Sequence, residues 1–191
     1  VLEEIRTEMG PLIGVFHAAG VLDDGVLLEQ NWPRFTHVMQ PKVAGAWNLH
    51  ELTANDPLEL FICFSSMASL LGSPGQANYA TANAFLDGLA HFRRANDLPA
   101  ISVNWGPWSG GGMAADKTGR DHARWAAVGL KTIAPEQGVA VLDQLIEGPA
   151  VQVGVLPIDW SRFLRQFPRE RMPSMLTDLA EEVRQRERSS Q

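Results

Sequence analysis

Tyr79 and Ser66 are the side chains whose types and spacing favour chemistry on a carbonyl group. Ser66 follows the apolar run Leu58–Phe64, and Tyr79 comes thirteen residues later in the stretch Ser73–Asn83. This layout predicts a strand that ends at the serine, a turn, and a helix that opens with the tyrosine. A phenol can be a general acid for a carbonyl oxygen if a serine hydroxyl shares that oxygen and a cation lowers the phenol pKa. Lys42 is a candidate for that cation.

The spacing alone leaves a structural role open, because serine and tyrosine are common residues. Tyr79 is the only tyrosine of the chain, however, and its segment directly follows a strand-like run. Ser65 is the obvious rival of Ser66, although the spacing to Tyr79 favours Ser66. Lys42, without further context, is typical of a solvated helix residue.

Short apolar runs alternate with amphipathic stretches and must position these side chains. The runs predict strands buried on both faces at Leu12–Ala18, Leu58–Phe64, Ile101–Trp105 and Val151–Leu156. The stretches predict helices over about 34–52, 77–96 and 135–146. Such alternation predicts a doubly wound α/β fold with a parallel sheet.

Two further regions stand apart from this alternation. A glycine-rich stretch at 106–113 and a polar segment follow the third strand, and we expect a lid over about 109–133; a disordered loop is the alternative. Four apolar residues are suited to cover an apolar ligand: Trp108, Met113, Trp125 and Leu130. The tail 168–191 is charged and predicts a linker or solvated helix, with helical spacing over Met175–Arg188.

Composition excludes several classes of function. The chain has 191 residues, 45% of them apolar, which is enough for one sizeable core. A net charge of −6 argues against a nucleic-acid surface, and no apolar stretch is long enough to span a bilayer. The single cysteine, Cys63, rules out an internal disulfide and is expected to be a buried, inert thiol in a protein of the reducing cytoplasm. The histidines lack metal-ligand spacing, so we expect no metal.

Four motifs in order carry a resemblance to a known family. The segments Val15–Gly25, Pro41–Leu49, Phe64–Asp87 and Val103–Trp108 resemble the ketoreductase domains of modular type I polyketide synthases. Those domains are members of the short-chain dehydrogenase/reductase superfamily, and the similarity covers roughly residues 1–160. The resemblance implies a Rossmann-like sheet and the reduction of a β-ketoacyl thioester, carried by an acyl carrier protein, with hydride from NADPH.

The resemblance also assigns the catalytic residues. Tyr79 would donate a proton to the developing alkoxide, Ser66 would orient the same oxygen, and Lys42 would lower the tyrosine pKa and contact the nicotinamide ribose. In most members of the superfamily a lysine follows the tyrosine by four residues, where this chain has Asn83. The polyketide ketoreductases exchange the two residues, and Asn83 would help hold the lysine and a proton-relay water.

Cofactor and substrate positions follow from the same match. The cofactor would be bound by Ala18, Ala19, Gly20, Lys42, Tyr79, Gly106 and Pro107. His17 would be structural. Stereocontrol and substrate contacts would fall on Leu22, Asp23, Asp24, Leu71, Gln76, Trp108 and Met113. Leu22-Asp23-Asp24 matches the fingerprint of B-type ketoreductases, and Leu71 and Thr81 stand where A-type enzymes have tryptophan and epimerising enzymes have proline. The match implies B1 behaviour: a D-hydroxyl product without α-epimerisation.

One expected part of such a reductase has no counterpart in the sequence. No G-x-G-x-x-G turn occurs, so we expect a partial fold that lacks the first three strands, the phosphate turn and the preceding structural subdomain. The first strand would then present a bare apolar edge, and the chain alone would be inactive and poorly soluble, dimeric or swapped. We expect residues 1–167 to be the C-terminal part of a catalytic domain, and 168–191 to lead toward a following domain, commonly an acyl carrier protein.

Two other functions compete with carrier-linked reduction. A reductase-like scaffold without turnover is one, although Lys42, Ser66, Tyr79 and Asn83 are all present. A free-standing reductase of small carbonyl compounds is the other, although the exchanged lysine and the charged tail argue against it.

Overall fold

The computed structural model describes residues 1–110 and 119–189, and side chains are not described for 119–122. Among these residues, one sheet contains four parallel strands in the order β1-β2-β3-β4. The strands are β1 Gly14–His17, β2 Leu60–Ser66, β3 Ile101–Trp105 and β4 Gln152–Val155. The α-helices are α1 Leu2–Met9, α2 Trp32–Met39, α3 Gly45–Leu52, α4 Met67–Leu71, α5 Ala77–Ala95, α6 Gly119–Ala127, α7 Pro135–Ile146, α8 Trp160–Leu164 and α9 Thr177–Ser189. The predicted doubly wound parallel sheet is confirmed.

The strands differ in burial, and here the prediction was partly wrong. All five residues of β3 are buried, whereas Phe16 of β1 is 52% exposed and no residue of β4 is fully buried. Only the inner strands have a neighbour on each side among the described strands, so the outer two lack cover on one edge. The predicted bounds of β1, β2 and β4 were displaced by one or two residues, whereas those of β3 were correct. β2 runs past its apolar residues to Ser66 itself, where the spacing to Tyr79 predicted that the strand would end.

The helix predicted over 34–52 is interrupted. It begins earlier, at Trp32, because the Asn31 side chain accepts a hydrogen bond from the backbone N–H of Arg34 at 3.1 Å and caps the first turn. A π-helical turn, Gln40–Ala44, then separates α2 from α3. Pro41 lies within it, and a proline inside a helix lacks an N–H and clashes with the preceding turn, which disfavours the regular α-helical ladder.

The chain divides into two compact units, and the first comprises Val1–Gly106 and Pro135–Val155. Its sheet packs against α3 and α5 through a buried cluster: Val15, Ala46, Phe61, Cys63, Leu86, Leu89, Ala90 and Ala100. A second cluster near the carboxyl end of β2 consists of Val38, Ala68, Tyr79 and Ala82. Cys63 is fully buried, and burial raises the pKa of its thiol to about 12, as expected for an inert cysteine.

The second unit comprises Pro107–Ala134 and Leu156–Gln191. Within it, Trp108 bridges to Ile133 and Leu130 bridges to Ile158. The predicted helix at Met175–Arg188 is largely present as α9, but Leu176 and Ala180 nearby are buried, so the tail is not simply solvated. The lid over 109–133 and the boundary at 167 stay predictions.

Helices of the described ranges, 1–110 and 119–189, include none with the length and apolar character needed to cross a bilayer.

Candidate active site

Ser66 is placed by the junction of β2 and α4. It is the last residue of the strand and the N-cap of the helix, and its Oγ accepts a hydrogen bond from the Ala68 N–H at 3.2 Å. Its carbonyl accepts hydrogen bonds from the Ser69 hydroxyl at 2.9 Å and from the Asn104 amide at 3.4 Å. Because cap and carbonyl are both held, the hydroxyl has a fixed position at the carboxyl edge of the sheet.

Tyr79 lies in the first turn of α5 and is 7% exposed. Burial raises the pKa of its phenol, the Ser66 and Asn83 side chains act in the opposite direction, and the charge of Asp24 adds to the rise. Its N–H donates to Asn78 Oδ1 at 2.8 Å. The phenol is therefore protonated at neutral pH and lies beside a serine hydroxyl, the arrangement that a proton donor needs.

Lys42 lies on the π-helical turn and is only 1% exposed. Its Nζ donates to the Phe64 carbonyl at 2.9 Å and lies 5.6 Å from the centroid of the Tyr79 ring. Burial lowers the pKa of the ammonium to about 8, against the opposing charges of Cys63 and Asp87. An ammonium has three donors, so the Phe64 carbonyl uses one of them.

Asn83 lies one helical turn after Tyr79 and is fully buried. Its Nδ2 donates to the Tyr79 carbonyl at 2.7 Å, whereas its Oδ1 has no hydrogen-bond partner among the described residues. Buried polar atoms are nearly always paired in native proteins, so an unpaired oxygen beside Tyr79 marks a place for a polar ligand atom. The structure thus brings together all four predicted catalytic residues.

The predicted cofactor residues fall in both units. Ala18 and Ala19 are exposed directly after β1, Gly20 is half-buried, and Gly106 is buried after β3, where its N–H donates to the Val155 carbonyl at 2.9 Å. All four follow carboxyl ends of parallel strands, the edge where open α/β sheets bind ligands. Pro107 is in the second unit, and its carbonyl accepts from the Ile133 N–H at 2.8 Å.

His17 ends β1 and is buried, as expected for a structural residue. Burial, together with the neighbouring Lys42 charge, lowers the pKa of its imidazole. The ring is therefore neutral near pH 7. Its catalytic or structural role stays a prediction.

The predicted substrate residues are only partly brought together. Leu22 packs against the cluster that contains Tyr79, and Asp24 accepts a hydrogen bond from Gln76 Nε2 at 3.1 Å. Leu71 is the last residue of α4. Trp108 belongs to the second unit, and Met113 lies outside the described residues.

A buried polar network behind Ser66 was not predicted. The Asp87 carboxylate accepts hydrogen bonds from Ser69 at 2.7 Å, from Ser102 at 2.6 Å and from the Asn104 amide at 2.9 Å. The network joins α5 to β3 and to α4, the helix that Ser66 caps. Its one sequence signal was the position of Asp87, a charged residue one helical turn after Asn83.

No cluster of three His, Cys, Asp or Glu residues suited to a metal ion occurs within 1–110 and 119–189.

Comparison with known proteins identifies the family. Residues 1–110 match the family described as the KR domain. The phenolphthiocerol synthesis polyketide synthase type I Pks15/1 of Mycobacterium marinum is 48% identical over 147 residues, which are 76% of this chain and 7% of that protein. The polyketide synthase GfsB of Streptomyces halstedii is 43% identical over 88% of this chain and 3% of that protein. The chain thus spans a small part of these relatives.

Solved structures agree with this family. A structure of A-type ketoreductases from a modular polyketide synthase is 39% identical, with a TM-score of 0.85 over 92% of this chain and 37% of that one. The first ketoreductase of the tylosin polyketide synthase is 41% identical, with a TM-score of 0.77 over 86% of this chain and 36% of that one. The chain therefore belongs to the KR domain family, the ketoreductases of modular polyketide synthases.

Proposed function

We propose that this chain contributes the catalytic half of an NADPH-dependent ketoreductase, which reduces a carrier-bound β-ketoacyl thioester during polyketide biosynthesis. The observation that carries the proposal is the buried phenol of Tyr79, with the Ser66 hydroxyl beside it and Lys42 Nζ 5.6 Å from its ring centroid. Family membership supports the reaction class.

The residues divide the work of protonating the new alcohol. Tyr79 donates its phenolic proton to the oxygen that was the ketone, and Ser66 donates a hydrogen bond to the same oxygen and fixes its position. Lys42 places positive charge behind the phenol and favours the phenolate left after proton transfer. Asn83 Oδ1, which has no partner among the described residues, accepts a hydrogen bond from a water or from the Lys42 ammonium. That water or ammonium then returns a proton to the Tyr79 phenolate.

The described residues fit a nicotinamide cofactor. The small residues Ala18, Ala19 and Gly20 allow close approach after β1, and Lys42 and Tyr79 offer polar groups to a ribose at the same edge of the sheet. When bound, the cofactor supplies the hydride; NADPH rather than NADH is part of the proposal.

The finer assignments rest on the resemblance. B1-type reduction, to a D-hydroxyl without α-epimerisation, is supported by Asp23, Asp24, Leu71 and Thr81 at the diagnostic positions. We propose the acyl carrier protein and the remainder of a cytoplasmic synthase as partners, including an upstream half that holds the cofactor phosphates. Alone, the chain is proposed to be inactive.

The first test is NADPH consumption with a β-ketoacyl thioester, using the intact ketoreductase domain that carries this chain. Tyr79→Phe removes the proton donor but keeps the buried ring, so we expect kcat to fall by about 10²- to 10⁴-fold with little change in folding. Phe92→Tyr, at a half-exposed position elsewhere on α5, is the matched control and keeps full activity.

Chiral analysis of the product tests the D-hydroxyl assignment in the same experiment. A folded wild-type domain that binds NADPH without reducing any thioester would contradict the reductase and favour the rival scaffold. Efficient turnover of small free ketones, with poor turnover of thioesters, would favour the free-standing reductase instead.

A further inference from the structure

Arg34, on α2, is bound to the loop that carries the Asp23–Asp24 pair. Its Nε and Nη2 donate to Asp23 Oδ1 at 2.8 and 2.6 Å, and Nη2 also donates to the Asp24 carbonyl at 2.6 Å. Longer contacts reach the carbonyls of Asp23 at 3.3 Å and Glu29 at 3.4 Å. A planar guanidinium that contacts both a carboxylate and backbone carbonyls fixes the path of a loop, not only one side chain.

Gly25 shows that this contact is built into the loop. A Cβ added at Gly25 would lie 2.5 Å from Arg34 Nη1 and 2.9 Å from Nη2, so any side chain there would displace the guanidinium. The Gly25 N–H donates to the Gly75 carbonyl at 2.8 Å. The glycine thus allows Arg34 to lie against the loop backbone while the loop reaches the turn before α5.

The opposite side of the loop is joined to the start of α5. Asn78 Nδ2 donates to the Asp23 carbonyl at 2.8 Å, and Gln76 Nε2 contacts both Asp24 carboxylate oxygens at 3.1 Å. Asn78 is fully buried, and its Oδ1 accepts the Tyr79 N–H at 2.8 Å. One side chain therefore connects the loop to the backbone of the proposed proton donor.

Asp24 also interacts electrostatically with Tyr79, since its negative charge contributes to the raised pKa of the phenol. The loop thus lies between Arg34 and Tyr79, with backbone contacts to both sides. If Arg34 releases the loop, Asp24 and Gln76 lose their fixed position relative to the phenol.

We propose that Arg34 is a positioning residue that holds the Asp23–Asp24 loop against the start of α5, and so determines from which side the β-ketoacyl chain meets Tyr79. The inference rests on the proposed ketoreductase function. It separates the two aspartates: Asp23 anchors the loop to Arg34, whereas Asp24, with Gln76, faces the substrate.

The test compares Arg34→Met and Arg34→Lys in the intact ketoreductase domain with a β-ketoacyl thioester. We expect Arg34→Met to reduce the ratio of major to minor hydroxyl enantiomer by about tenfold, because small displacements at a reacting centre have large kinetic effects. Arg34→Lys keeps the charge but loses the planar fork, so the ratio falls by less. Gly25→Ala, which displaces the guanidinium, reproduces the effect of Arg34→Met.

The matched control is Arg6→Met. Arg6 forms a similar fork with Asp56, at 2.9 and 2.7 Å, and also donates to the Leu52 carbonyl, on elements that do not carry Tyr79. This variant loses an equivalent ion pair and keeps the wild-type enantiomer ratio. An unchanged ratio in Arg34→Met as well, with only a lower melting temperature, would overturn the inference.

A second readout does not depend on turnover. Hydrogen exchange of the Gly25 amide becomes faster in Arg34→Met and stays at the wild-type rate in Arg6→Met, since the bond to Gly75 requires the held loop. Unchanged Gly25 exchange in Arg34→Met overturns the positioning role even if the wild-type domain proves inactive. An inactive wild type with faster Gly25 exchange in the variant overturns the proposed reductase while supporting the clamp.

Discussion

Two adjacent serines at the end of β2 have different surroundings, which suit Ser66 to the proposed catalysis and Ser65 to packing. Ser65 is buried, donates to the Asn83 carbonyl at 3.3 Å and accepts from Asn104, whereas Ser66 is half-buried beside Tyr79. We expect Ser66→Ala to lower kcat by about 10²-fold, as when one oxyanion donor is lost. Ser65→Ala leaves kcat nearly unchanged and lowers the melting temperature. Equal losses of kcat in both variants would contradict the assignment of Ser66.

The buried Lys42 makes the free energy of unfolding depend on pH, and the direction of that change follows from its lowered pKa. Its pKa is about 8 when folded and near 10.5 when unfolded, so the unfolded chain binds more protons above pH 8. The free energy of unfolding therefore rises with pH between about 8 and 9, by at most about 1.4 kcal/mol per unit. Above pH 9.0, the ordinary pKa of a cysteine, the unfolded chain loses the Cys63 proton and the folded chain keeps it. This difference lowers the free energy of unfolding as the pH rises, opposite to the effect of Lys42.

Urea unfolding of wild type and Lys42→Met over that range checks this prediction. The variant has no ammonium to bury, so we expect its stability to vary less with pH. A wild-type free energy of unfolding that falls from pH 8 to pH 9, or an equal slope in the variant, would contradict a lysine whose pKa is lowered by burial.

The grouping of Ser66, Tyr79 and Asn83 could be predicted because these residues lie in short motifs at fixed spacings, whereas their catalytic roles stay a proposal. Lys42 could be assigned only by resemblance, since a lysine in a helical stretch carries no sign of being buried. Arg34 and Asn78 carried no signal, because their roles depend on backbone carbonyls of a loop whose path the sequence does not show. The burial that raises the Tyr79 pKa was not foreseen either; the sequence favoured a pKa lowered by Lys42.

At the scale of elements, Asp87 joins α5 to β3 and to α4. Asp87 is 8% exposed, and its carboxylate accepts hydrogen bonds from three side chains, those of Ser69, Ser102 and Asn104. We expect Asp87→Ala to lower the free energy of unfolding by about 3 kcal/mol, because buried donors lose their acceptor. Asp143→Ala, at an exposed position on α7, is the control and changes it by less than about 0.5 kcal/mol. Chemical denaturation measures both, and equal effects would contradict the role of the network.

Element types were predictable from hydrophobic periodicity, and element ends were predictable only in part. The apolar run Leu58–Phe64 by itself gives no sign that the strand continues through two serines, and only the spacing of Ser66 to Tyr79 predicted the end at Ser66. The strand continues because Ser65 and Ser66 pair in register with Asn104 and Trp105 of β3. Pro41 was the visible sign that the helix over 34–52 would be irregular.

At the scale of the whole chain, β1 pairs only with β2 among the described strands. Ile13 and Phe16 on this edge are 59% and 52% exposed. An apolar strand edge favours pairing between chains, so we expect concentration-dependent association of the 191-residue chain. Phe16→Lys weakens it, whereas Val139→Lys, at a 65% exposed position on α7, does not.

Sedimentation velocity over a range of concentrations tests this expectation. A monomer at all concentrations, or equal effects of the two substitutions, would contradict an association through β1. The fold class itself was predictable because alternating strands and helices have few topologies, whereas the division into two units was not, since 107–134 and 156–191 are distant in sequence.

The π-helical turn sets a condition on how this sequence can vary in length. A π turn holds one residue more than an α turn, and each residue of a helix corresponds to a rotation of about 100°. Removing a single residue from Gln40–Ala44 would allow a continuous α-helix that keeps α2 and α3 in phase, but Lys42, which lies inside the π turn, would change its position relative to both helices. We therefore expect substitutions in this segment, other than at Lys42, to be better tolerated than a one-residue deletion, which would displace Lys42 from the Phe64 carbonyl and the Tyr79 ring.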